Sequence, residues 1–262
     1  AIIQGAHTNL VHLEKNGDVL LSSSAHTRSS GNDDILTTLK HMTISQIRSL
    51  VEEMPASDLD FLMDGVQMNE ELAAYSETTS SGVGIADVLR REMGSSLFAN
   101  DLLNRILVNV ASAAESRLDG CPLPTMSSSG AGTKGLVVTL PVGETAGALG
   151  CSREKALRAL AFAHLLNRYI NAWIGKLSPM CSCVMASSTA ASAAMAYLLG
   201  GTDAQIGYAI RNMSGTVTGM ICDGAKASCA AKIASAVEAG LLGMQMQMQG
   251  EQFYGGDGIV VK

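Results

Sequence analysis

Two cysteines bracket the segment Cys222-Asp223-Gly224-Ala225-Lys226-Ala227-Ser228-Cys229, and a second pair stands upstream in Ser178-Pro179-Met180-Cys181-Ser182-Cys183. On one unbroken helix, at about 1.5 Å per residue, Cys222 and Cys229 would lie roughly 10 Å apart along the axis, too far to share one small cofactor. Asp223-Gly224 is turn chemistry, and glycine reaches backbone angles that other residues resist. The spacing therefore predicts a tight loop that folds back before a helix starts near Ser228, with both sulfurs facing one point. Several chemistries suit thiols placed this way. They can be buried as small hydrophobes, or paired as disulfides in a secreted protein. Structural zinc wants four ligands and CxxC-type pairs, which are absent. Three thiolates with one iron left open would suit an iron–sulfur cluster.

A second constellation runs Met126-Ser127-Ser128-Ser129-Gly130-Ala131-Gly132-Thr133-Lys134-Gly135, approached through Pro122 and Pro124. Consecutive small residues with free backbone N–H groups make a receptor for an anion, above all where a helix begins at the loop. The lysine and glycines fall at the wrong offsets for a Walker A motif, and the alternative is a plain flexible turn. Lys134 could serve a pyridoxal phosphate enzyme as its Schiff-base lysine or stand in a surface loop. His164, within an apolar helical stripe, reads as a helix histidine satisfied by its surroundings rather than as a ligand.

Four segments resemble, in this order, the C-terminal part of the iron–sulfur L-cysteine desulfidase family, which is related to the alpha part of the L-serine dehydratases. They are Cys222-Asp223-Gly224-Ala225 with Cys229, Leu177-Ser178-Pro179-Met180-Cys181, Pro124 to Gly132, and Gly5-Ala6-His7-Thr8-Asn9-Leu10-Val11-His12. The resemblance implies a lyase that converts L-cysteine to pyruvate, ammonia and hydrogen sulfide with a [4Fe-4S] cluster, or L-serine to pyruvate and ammonia. It implies Cys181, Cys222 and Cys229 as cluster ligands. It also implies His7, Thr8 and Asn9, with Ser127, Ser128, Ser129 and Gly130, as the substrate-facing loops. Of Cys181 and Cys183, two apart on a helix and so pointing apart, Cys181 is the one in the family's context. Two departures stand out. Thr133 and Lys134 replace the family's usual Asn followed by Gln or His, which leaves Lys134 without a role. The family's Gly-Cys-Thr-Glu-Pro motif, whose Cys is its base, has no match, and Cys121 and Cys151 lie in other contexts. An N-terminal region or a second chain is therefore expected to complete the active site, and a homo-oligomer is a further expectation.

The elements that must position these residues are mostly helical. Asn16-Gly17 between apolar runs predicts a β-hairpin over Ile2 to Ala25 that belongs to a larger sheet, with further short strands near Gly135 to Leu140. Ser30 to Asp34 reads as a loop. Helices are predicted over Thr43 to Glu53 with Thr43 as N-cap, then Ser57 to Tyr75, Gly82 to Met93, Ala99 to Leu118 and Ser152 to Trp173. Three more follow: the small-residue run to Leu199, Thr202 to Met220, and Ser228 to Met248. The expected class is α+β: a mainly α-helical bundle over 41–262, preceded over 1–40 by the hairpin and its connection.

Composition removes other classes. Hydrophobic residues are 47 % but aromatics only 4 %, so closely packed Ala, Leu, Met and Val must make the core. A net charge of -6 leaves no basic stripe for a phosphate backbone. No apolar run has the make-up of a spanning helix. No leader is read, and six unevenly spaced cysteines do not make a disulfide framework, so a cytoplasmic protein is expected. Against the lyase stands a non-catalytic helical binding module with packed thiols and no metal.

Overall fold

The computed structural model describes residues 1–3, 9–23, 31–79, 81–95, 99–175 and 178–261, in two units, Ala1–His41 and Met42–Lys262. In the first, β1 (Ile2–Ile3), β2 (Leu10–Lys15) and β3 (Asp18–Ser22) form an antiparallel sheet in that order. Asn16 (φ 56°) and Gly17 (φ 91°) join β2 to β3. Positive φ at both central residues is what a type I′ hairpin turn needs, and its twist matches the strands. The hairpin was expected to reach Ala25; β3 ends at Ser22. Ser30 to Asp34 was expected as a loop, yet helix α1 (Gly31–His41) begins inside it. A polar stretch lacks only the apolar periodicity that marks a helix in sequence; it does not prevent one.

The second unit is a helical assembly. Helix α2 (Ile44–Glu53) starts on a capping box: Thr43 Oγ1 accepts from Gln46 N, and Gln46 Oε1 accepts from Thr43 N. Such a pair satisfies two N–H groups that a helix end leaves open. The predicted Ser57 to Tyr75 helix is two pieces, α3 (Ala56–Leu59) and α4 (Phe61–Thr78). Next come α5 (Ile85–Glu92) and α6 (Leu102–Leu118), the latter capped by Asp101. Under α5, the buried Glu115 of α6 accepts from the N–H groups of Val83, Ile85 and Ala86, so a carboxylate meets the positive end of a helix.

Helix α7 (Gly132–Ala148) replaces the short strands expected near Gly135 to Leu140. Leu136-Val137-Val138-Thr139-Leu140 has strand composition, but each of these residues is buried. Burial on every side overrides a β-propensity of about 1 kcal/mol at most. Thr139 and Thr145 turn their hydroxyls back to the carbonyls of Gly135 and Pro141. Helix α8 (Arg153–Ile174) is capped by Ser152. A π-helical turn, Cys183–Ser187, then leads into α9 (Ser188–Leu198), all of whose residues are buried. Its Ser and Ala side chains let α7, α8, α10 (Asp203–Thr216) and α11 (Cys229–Met248) close around it. Ser192 Oγ donates to Gly240 O of α11 at 2.8 Å, an approach that a small residue on each side permits. No helix among the described residues is long and apolar enough to cross a membrane.

Candidate functional site

Cys181 and Cys222 meet on a short bridge. Met180 pairs antiparallel with Ile221, Cys181 N donates to Met220 O at 2.9 Å, and Cys222 N donates to Pro179 O at 2.8 Å. Strand alternation puts the two cysteines on one face at diagonal positions, where neighbours are about 7–8 Å apart. From Cys222 an exposed loop turns at Gly224 (φ 90°) and returns to α11, whose first residue is Cys229. Cys229 Sγ donates to Gly224 O at 3.0 Å, so its thiol faces the inside of the loop that begins at Cys222. Lys232, one turn into α11, clamps the loop by bonding Asp223 Oδ1 and Ile221 O. The pairing lowers the Asp223 pKa and raises that of Lys232.

Cys181 and Cys229 are buried, Cys183 is half-buried and Cys222 is exposed, and all are free thiols. The sequence reading had Cys181 and Cys183 diverging on a helix. Instead Cys181 precedes the helical winding and the two thiols are hydrogen-bonded. Donation from Cys183 brings the Cys181 pKa down to about 6, helped by the N–H groups of Val184 and Cys183, while burial opposes it. The Cys183 pKa is pushed up by the same bond and by burial. Among the described residues, no three His, Cys, Asp or Glu side chains are drawn around one point as a metal would need. Thiols are the donors that an iron–sulfur cluster takes, but Cys181 and Cys229 are buried and Cys222 lies at the surface.

The serine segment is a tight turn at the head of α7. Ser128 N donates to Ala131 O at 3.1 Å and Ala131 N to Ser128 O at 3.2 Å. Between them Ser129 (φ 50°) and Gly130 (φ 77°) are left-handed, a conformation that disfavours a non-glycine residue by about 1–2 kcal/mol and that clusters at ligand sites. The N–H groups of Ser129 and Gly130 take no acceptor among the described residues. They stand beside the open N–H groups of the first turn of α7, which together favour an anion.

Behind the turn lies a buried polar network that the sequence reading missed. Asn167 Nδ2 donates to Ser128 Oγ at 2.6 Å and Ser129 Oγ at 3.2 Å, and His164 Nδ1 lies 3.0 Å from Ser128 Oγ. Asn171 links Asn167 to Lys134, whose Nζ donates to Asn171 Oδ1 at 2.6 Å. Burial lowers the Lys134 pKa, and Arg168 adds to that, while the thiols of Cys183 and Cys181 partly offset it. Lys134 is 4 % exposed and is no surface-loop lysine. Burial alone brings the His164 pKa to about 4, and its Nε2 is buried without a partner among the described residues. A usable signal was present: His164, Asn167 and Asn171 fall at i, i+3 and i+7, a polar stripe on one face of an otherwise apolar helix.

Of the expected substrate residues, Ser128 is buried in this network, Ser129 is half-buried, and Ser127 and Gly130 are exposed. His7 and Thr8 lie outside the described residues, and Asn9 is exposed just before β2 in the first unit. Cys121 packs against the core beside α6, and Cys151 follows α7, its N–H on Ala146 O.

The profile of a family described as serine dehydratase alpha chain matches residues 25–262. A UPF0597 protein of Clostridioides difficile strain 630 is 38 % identical over 241 residues, covering 91 % of this chain and 56 % of that protein. One of Alkaliphilus metalliredigens is 36 % identical over 261 residues, covering 100 % of this chain and 58 % of that protein. One of Parabacteroides distasonis is 35 % identical over 260 residues, 99 % of this chain and 60 % of that protein. The chain thus spans less than two thirds of the length of these relatives. No solved structure matches it.

Proposed function

Because the chain belongs to the serine dehydratase alpha chain family, we propose that it is the serine-turn and cysteine part of a lyase that removes the β-substituent of a small L-amino acid. L-Cysteine is the substrate proposed, and L-serine the alternative. The observation that carries the reading is the left-handed Ser128–Ala131 turn at the head of α7, backed by the buried network of Asn167, Asn171 and Lys134. A carboxylate receiver and a set of free thiols are what such an enzyme needs to hold an amino acid at one end and its leaving group at the other.

In such an elimination a base takes the α-proton and its electron pair forms the Cα=Cβ bond. The Cβ–S bond breaks with its electrons on sulfur, which takes a proton and leaves as hydrogen sulfide. The aminoacrylate then tautomerises and hydrolyses to pyruvate and ammonia. The free N–H groups of the turn and of α7 would bind the carboxylate and fix the substrate's orientation. Cys181, Cys222 and Cys229 would hold the [4Fe-4S] cluster, whose open iron supplies Lewis acidity toward the leaving group. The base is expected from an N-terminal region or second chain.

Purification without oxygen, followed by iron and sulfide analysis, tests the reading. The expected result is bound iron and inorganic sulfide that Cys222→Ala removes, and pyruvate formed with sulfide from L-cysteine once the missing part is supplied. A colourless chain indifferent to Cys222→Ala would instead mark a metal-free binding module.

A further inference from the structure

Strand β3 has the make-up of a strand covered on both faces, yet it stands at the edge of its sheet. Asp18-Val19-Leu20-Leu21-Ser22 carries three apolar residues in a row, the pattern of a strand buried on both sides rather than the alternation of one that faces water. Val19 lies opposite Glu14 and Leu21 opposite Leu13, with Leu20 as the extra residue of a bulge. Glu14 and Leu13 are adjacent in β2 and so point to opposite faces, and residues directly opposite share a face. Val19 and Leu21 therefore put one apolar side chain on each face of the sheet. Both faces are bare: Val19 is 56 %, Leu20 61 % and Leu21 38 % exposed. Ile2 of β1, also exposed, joins the Val19 face, since it stands opposite His12, and His12 alternates with Glu14 along β2.

The edge is as open as the faces. Among the described residues β3 is paired on one side alone, to β2. Ser23 N donates inward, to Val11 O at 2.9 Å, and alternation along an antiparallel pair turns the N–H of Ser22 outward. Lysine, proline, a bulge or a covering element blunts a natural edge. Strand β3 has the bulge alone, and all five of its residues are exposed. Three strands hold in water when an apolar face is packed on something, but of the residues in this sheet only Val11 is buried. A second copy pairing β3 with β3 would close the edge and leave the Val19 and Leu21 faces bare in both copies. The longer relatives offer what is lacking. The family profile begins at residue 25, past the end of β3, so the sheet lies outside the domain it describes. The Alkaliphilus metalliredigens protein nevertheless matches over 100 % of this chain, sheet included, and the match takes up only 58 % of that protein.

We propose that β3 is a docking edge for the part of the longer protein that lies beyond this match: a strand from that part pairs along β3, and its apolar elements cover the Val19 and Leu21 faces. Main-chain bonds along the edge give such an addition its affinity, and the side chains on alternate faces give it its register. The partner is thus apolar in chemistry, a strand with packed cover on either side, rather than a charged or nucleic-acid surface. This docking edge stands or falls independently of the lyase chemistry, since no residue of β3 belongs to the serine turn or the cysteine loops.

Hydrogen exchange read by mass spectrometry, on this chain and on the full-length Alkaliphilus metalliredigens relative, tests the proposal. The segment of the relative aligned with β3 is expected to exchange at least about tenfold more slowly than β3 does here, while β2, paired on both sides in this chain already, changes less. In this chain Val19→Lys is expected to leave the melting temperature where it is, because the side chain stands in water; lysine at the aligned position of the relative is expected to lower its melting temperature and to speed exchange along the strand. Equal exchange of the strand in the two proteins overturns the proposal. So does slow exchange of β3 in a preparation of this chain that light scattering shows to be monomeric, since the edge would then be covered already. Protection that appears with a dimer of this chain and fades on dilution makes a second copy the occupant and overturns it as well.

Discussion

Gly135→Ala is the sharpest perturbation of the site, because the added methyl meets main chain. A Cβ on Gly135 would stand 1.8 Å from the carbonyl oxygen of Met126, 2.7 Å from its carbon and 2.9 Å from Ser127 Cα. Ordinary contact begins at 3.4 Å, so the carbonyl must retreat by about 1.6 Å. No side chain can rotate away to allow it. The segment that must move leads directly into Ser127–Gly130, and Met126 N is anchored to Asn69 Oδ1 at 3.1 Å. Overpacking of this kind is destabilising by about 1–3 kcal/mol, occasionally more, and backbone contact puts this case at the upper end. In a domain of this size about 3 kcal/mol lowers the midpoint by roughly 6–12 °C. Gly147, on the same helix, is the control: its Cβ would meet nothing within 4 Å, so Gly147→Ala should stabilise by up to about 1 kcal/mol. Calorimetric melting of both variants, with L-serine titrations, reads the comparison. The reasoning is refuted if Gly135→Ala melts and binds like the parent, or if the two alanines act alike.

Three further outcomes are expected. Glu115→Ala strips the N–H groups of Val83, Ile85 and the buried Ala86 of their acceptor and should lose on the order of 3 kcal/mol, with Glu115→Gln losing less; urea midpoints measure both. Folded His164 titrates near 4 and its unfolded counterpart near 6.5, so between those values the unfolded chain binds more protons. Stability contributed in full above pH 6.5 should therefore fall by about 2 kcal/mol on reaching pH 5, and the parent-minus-His164→Gln difference in urea midpoint isolates it; a difference flat with pH contradicts the burial of the ring. Cys222, the exposed thiol among six, should be alkylated first by iodoacetamide in the metal-free chain and become protected when iron and sulfide are incorporated; peptide mass mapping follows it, and equal labelling in both states argues against Cys222 as a ligand.

Local rules were legible wherever the cause was local. Thr43 with Gln46, Asn16 with Gly17, and Asp223 with Gly224 each specify a cap or turn within four residues, and each forms. The loop back to a helix beginning at Cys229 follows from the same chemistry. Helix α7 was illegible because Leu136 to Leu140 has the composition of a strand, and only burial by neighbours distant in sequence decides otherwise. Of the site, the serine and cysteine segments could be named from sequence. Lys134, His164, Asn167 and Asn171 could not be assembled, since their bonds join residues up to 39 positions apart. The stripe on α8 was visible, but its partners were not.

The winding between Cys183 and Ser187 has a consequence for how this protein can vary. A π turn holds one residue more than the α winding that follows it, so α9 keeps its fit among four helices while the chain ahead is advanced by a single step. Deleting one residue there would restore the regular spiral, leave the α9 core in register and swing Cys183 by about 100° away from Cys181. The turn thus acts as a vernier between scaffold and sulfur, through which the thiols can be re-aimed while α9 keeps its own packing.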